Sequence, residues 1–114
     1  MAAAIRAVET VDTCLDRIAE AVKAQGGALL VTADHGNCEM MRDPVTGGPH
    51  TAHTTNKVPV LLMGGPAPAL EDGRLADIAP TLLALMELKQ PAEMTGRSLL
   101  HASVRRPDAA QAAD

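Results

Sequence analysis

No Phe, Trp or Tyr occurs anywhere in these 114 residues, and that absence limits the possible folds more than any local pattern does. Aromatic side chains bury the largest apolar areas, so a core built here must rely on Leu, Val, Ile, Met and Ala. A chain of this length holds one small unit rather than two independent cores. With 46% hydrophobic and 21% charged residues there is enough apolar surface to drive collapse, which excludes an intrinsically disordered or fibrous chain. The expectation is a single globular unit whose thin core marks it as part of a domain.

Ten basic against fourteen acidic residues give a net charge of −4, so attraction to phosphate backbones or anionic lipid is not expected. Base stacking is excluded with the aromatic rings. Cys14 and Cys38 cannot form a disulfide framework and match no zinc spacing, which points to reduced thiols and a cytoplasmic location. Arg6 and Glu9 interrupt any leader-like apolar segment at the start, and no apolar run approaches the roughly eighteen residues a membrane span needs. Neither a nucleic acid nor a membrane is an expected partner.

Ile5, Val8, Val11, Leu15, Ile18 and Val22 recur at steps of three and four, which predicts an amphipathic helix over residues 2–24. Gln25-Gly26-Gly27 ends it, because glycine accepts the left-handed backbone of a helix cap. Residues 28–33 form a short apolar run without alternation, the pattern of a parallel strand covered on both faces. A polar, glycine- and proline-bearing loop follows over residues 42–56. A second apolar run, Val58 to Met63, predicts another strand, with Pro59 near its start. Asp77 to Met86 reads as a helix capped by the Asp77 side chain. This order predicts an α/β fold: part of an open, mostly parallel sheet with helices on both faces, incomplete because two strands cannot form such a sheet alone.

Ligands of open α/β sheets sit beyond the carboxyl ends of the strands, where Asp34 and His35 fall. A carboxylate beside an imidazole is a suitable mixed ligand pair for manganese or zinc. Neighbouring side chains of a regular strand point to opposite faces, so both reach one ion only if the backbone turns, which Gly36 permits. Read without other context, Asp34 caps a turn and His35 is an ordinary loop residue. The cluster from His50 to Asn56 precedes the second strand and can fold back over the same edge.

Thr32-Ala33-Asp34-His35-Gly36-Asn37, Glu39-Met40, Thr51-Ala52-His53-Thr54-Thr55-Asn56 and Val58-Pro59-Val60 together resemble the cofactor-independent phosphoglycerate mutases of the alkaline phosphatase superfamily. Asp77-Ile78-Ala79-Pro80-Thr81-Leu82-Leu83 and Pro91-Ala92-Glu93-Met94-Thr95-Gly96-Arg97-Ser98-Leu99 extend the likeness to nearly the whole chain. The resemblance implies that residues 1–100 are the C-terminal part of a metal-binding phosphatase-like domain, with a mobile tail over 101–114. It further implies two divalent ions, usually manganese, and the interconversion of 3-phosphoglycerate and 2-phosphoglycerate in glycolysis through a phosphoserine. By the same likeness Asp34 and His35 match ligands of one ion and His53 a ligand of the other, with Asn37, Thr54 and Asn56 as candidate donors that orient them. His50 falls where the family varies.

The family's nucleophilic serine, its first metal-binding aspartate, a further Asp and His pair and its arginine-rich substrate domain have no equivalent here. Ser98 and Ser103 lie in no strand-to-helix elbow, so neither is a candidate nucleophile. The expected partners are therefore a small phosphorylated three-carbon acid, bound by the complete enzyme, and the missing N-terminal portion of the same fold. The chain alone is expected to be inactive. The rival readings are another phosphotransferase or hydrolase of the superfamily, such as a phosphopentomutase or phosphodiesterase, and a non-catalytic remnant with weak metal binding.

Overall fold

The computed structural model describes residues 2–65 and 69–101. It divides into two compact units, Met1–Met63 and Gly64–Asp114. The expected mobile tail lies outside the described residues from position 102 onward, while His101 donates its backbone N–H to the Ala69 carbonyl at 3.3 Å.

In the first unit, helix α1 spans Ala2–Ala24. It ends as the glycines dictate: Gly26 takes φ +66°, Gly26 N–H bonds Lys23 O, and Gly27 N–H reaches back to Val22 O at 3.0 Å. The apolar stripe of α1 is largely uncovered. Ile5, Val8, Val11 and Ile18 are each more than half exposed, and Ala19 is the helix's buried residue.

Strands β1 (Leu29–Thr32) and β2 (Val60–Met63) form a two-stranded sheet. Contrary to the parallel arrangement expected from the unalternating apolar runs, the two pair antiparallel, with Leu29 opposite Met63 and Thr32 opposite Val60. The reason lies in the connection. A parallel pair needs a crossover that returns the chain to its starting end, usually a helix. Residues 33–59 contain none and instead double back on themselves. Bridges pair Gly36 with Thr54 and Arg42 with Pro49, and the tip is closed by Asp43, whose carboxylate accepts the backbone N–H groups of Val45 and Thr46 at 2.8 Å each. These bonds hold the Asp43 carboxyl below the usual carboxylate range.

The second unit is centred on Leu99, at 2% exposure, and Thr81, at 0%. A 3-10 turn, Leu75–Asp77, leads into helix α2, Ile78–Leu85. Asp77 does not cap α2 with its side chain as the sequence suggested. Its oxygens instead accept the backbone N–H groups of Arg97 and of Arg74, the residue before the 3-10 turn, both at 2.9 Å, which lowers its pKa. Thr81 donates to Asp77 O and accepts from Leu99 N–H, so the buried hydroxyl is satisfied on both sides. A Leu70–Leu100 bridge closes the unit. Among the described residues no helix is long and apolar enough to cross a membrane.

Candidate metal centre

The antiparallel ladder loses its register just beyond β1. Thr32 faces Val60, yet the next pair is Gly36 with Thr54, so residues 33–35 on one arm lie against residues 55–59 on the other. Such an imbalance kinks a strand and re-aims its side chains. The backbone bends at Asp34 and His35. As a result their side chains do not alternate: Asp34 Oδ1 lies 3.6 Å from His35 Nε2.

His35 Nδ1 is 3.0 Å from the Gly36 carbonyl, to which it donates as the Nδ1–H tautomer. That leaves the lone pair of Nε2, the nitrogen beside the Asp34 carboxylate, available to a cation. The second arm brings His53 to the same place, its ring centroid 3.6 Å from that of His35 with 33° between the planes. Gly36 holds the arms in register by exchanging backbone bonds with Thr54, at 3.2 and 2.9 Å. Asp34 and His53 are exposed and His35 half-buried, so the three groups form an open rim.

Carboxylate oxygen and neutral imidazole nitrogen suit a divalent transition ion, and a backbone carbonyl fixing the other ring nitrogen is a usual support for a histidine ligand. The donors present fit part of such a centre. Among the described residues no three His, Cys, Asp or Glu side chains are grouped closely enough to hold an ion by themselves.

Asn37, Thr54 and Asn56 do not hydrogen-bond Asp34, His35 or His53 among the described residues. They converge on Glu39, a residue the sequence left without a role: its carboxylate accepts the Asn37 backbone N–H at 2.7 Å, the Asn56 side-chain amide at 3.0 Å and the Thr54 hydroxyl. Led by the Thr54 bond, these contacts lower the Glu39 pKa to about 2. Cys38 is exposed and unbridged, as is Cys14. His50, read as a loop residue, sits on the tip side of the rim with its backbone N–H on Met41 O at 3.1 Å.

Residues 1–90 match the family model described as Metalloenzyme superfamily. The chain is 74% identical over 98 residues to a 2,3-bisphosphoglycerate-independent phosphoglycerate mutase of Rhodopseudomonas palustris, covering 86% of this chain and 19% of that protein. It is 69% identical over 101 residues to the mutase of the same name from Cereibacter sphaeroides, covering 88% of this chain and 20% of the relative. For the Gluconobacter oxydans mutase the identity is 62% over 103 residues, covering 90% and 20%. The chain thus spans about a fifth of the length of the curated relatives it matches. With a carboxylate and two imidazoles gathered at the end of β1 and a family match over most of its length, this chain belongs to the Metalloenzyme superfamily.

Proposed function

We propose that this chain supplies part of the two-metal centre of a cofactor-independent phosphoglycerate mutase, an isomerase that interconverts 3-phosphoglycerate and 2-phosphoglycerate in the glycolysis of the cytoplasm. The observation that carries this reading is the meeting of Asp34, His35 and His53 at one rim, in a chain 74% identical over 98 residues to a protein of that name. Asp34 and His35 are assigned to one ion and His53 to the other. When bound, two divalent ions, manganese in this reading, lower the pKa of a serine hydroxyl and neutralise charge on phosphoryl oxygens.

This chain's residues have narrower tasks. The Gly36 carbonyl keeps the His35 proton on Nδ1, so Nε2 faces outward as a ligand. Asp34 offers a negative oxygen beside it. The serine, the other ligands and the substrate contacts belong to the remainder of the enzyme, whose strands extend β1 and β2 into an open, mostly parallel sheet. A two-plus-one ligand set is too small for tight binding, so this chain alone binds metal weakly and does not turn over substrate.

The test is reconstitution. Mixing this chain with a Rhodopseudomonas palustris mutase lacking the matching fifth should restore manganese-dependent interconversion of the two phosphoglycerates, and Asp34→Ala or His53→Ala should abolish it. Restoration that is indifferent to both substitutions would refute the assignment.

A further inference from the structure

The first arm of the rim, residues 34–39, and the second, residues 53–56, carry one stacked imidazole each, and one carboxylate is bonded to both. Glu39 Oε2 takes the Asn37 N–H from its own arm, while Oε1 takes the Thr54 hydroxyl and the Asn56 amide from the other. All three partners are donors. A carboxylate, which only accepts, satisfies them together, whereas an amide would turn an N–H₂ toward another donor. Gly36 lies against the same group: a Cβ there would run into the Glu39 carboxylate and the Thr54 hydroxyl.

We propose that Glu39 is a positioning residue of the candidate metal centre, tying the arm of Asp34 and His35 to the arm of His53 so that the two imidazoles stay in contact. This rests on the metal-ligand reading above and adds to it the group that sets the spacing of the ligands. Among the described residues Glu39 hydrogen-bonds neither imidazole. It acts through Thr54, whose backbone neighbours His53 and pairs with Gly36, the neighbour of His35. Its lowered pKa fits a carboxylate that stays ionised in the clamp.

The experiment uses the whole chain with Glu39→Ala and Glu39→Gln. Without metal, hydrogen exchange at the Gly36 and Thr54 amides and ring-to-ring cross-peaks between His35 and His53 are read by NMR. With Mn²⁺ alone as probe, affinity is read from loss of the two ring signals. Folded variants, judged by unchanged α1 amide shifts, should show about tenfold faster exchange at both amides, lost cross-peaks, and Mn²⁺ affinity reduced about 10–100-fold, the effect of removing a group that orients metal ligands. Should Glu39→Ala unfold, Glu39→Gln keeps the shape and is judged by the same readouts. Unchanged Mn²⁺ affinity in a folded variant, or intact cross-peaks, overturns the positioning role. If the wild-type rings ignore Mn²⁺, the ligand reading fails by itself, and the metal-free cross-peaks still decide whether Glu39 fixes the rings.

Discussion

Gly36 is the residue on which the rim turns. It is buried, pairs with Thr54, and has no room for a Cβ beside Glu39. Gly36→Ala is therefore expected to push the Glu39 carboxylate off the Thr54 hydroxyl and destabilise the first unit by about 0.5–1.5 kcal/mol, the worth of one hydrogen bond, measured as a lower urea midpoint, and unaltered stability would contradict the tight approach. Glu39 gives a pH signature. Its folded pKa, about 2, lies below the ordinary value, so its stabilisation is present above pH about 4.5 and is lost as pH falls toward 2. Asp43 and Asp77 act in the same direction. The unfolding midpoint should fall across that window, with a shallower fall in Glu39→Gln; parallel profiles would remove Glu39 from the explanation. Asp34 and His35 were legible as candidates because their residue types and a turn-permitting glycine fall just after a strand, whereas His53 was singled out only by the family resemblance. Glu39 was not, since its partners Thr54 and Asn56 are distant in sequence and only the doubled-back loop unites them.

Among the elements, α1 was readable end to end, because a 3.6-residue period and a glycine pair define both its face and its stop. The same cap recurs at α2 without the glycine. Glu87 takes φ 57°, with Glu87 N–H on Ala84 O at 3.2 Å and Leu88 N–H on Leu83 O at 2.9 Å. A side chain in left-handed backbone is strained. Glu87→Gly is expected to stabilise the second unit by about 0.5–1 kcal/mol, visible as a raised melting temperature; a lowered one would contradict the cap. The strand direction was not legible. An apolar run reports burial, not the sense of its neighbour, and the sense was decided by a loop that turns at Asp43 instead of crossing over. The Asp77 cap failed for a related reason: Arg74 and Arg97 compete for the carboxylate, and one of them lies twenty residues away in sequence.

At the scale of the molecule, the absence of aromatics leaves apolar surface that these residues do not cover. Ile5, Val8, Val11 and Ile18 on α1 and Leu61 and Met63 on β2 stand exposed, and among the described residues each strand of the two-stranded sheet has one unpaired edge. The chain alone should self-associate, its sedimentation mass rising with concentration, and a sharp monomer across that range would contradict this. The most direct measurement is a Mn²⁺ titration of the isotopically labelled chain, following the imidazole signals of all four histidines. Signals of His35 and His53 should vanish first, with those of His50 and His101 retained, and with a dissociation constant weaker than about a micromolar for so few ligands. Loss centred elsewhere, or submicromolar binding that spares both rings, would contradict the metal centre.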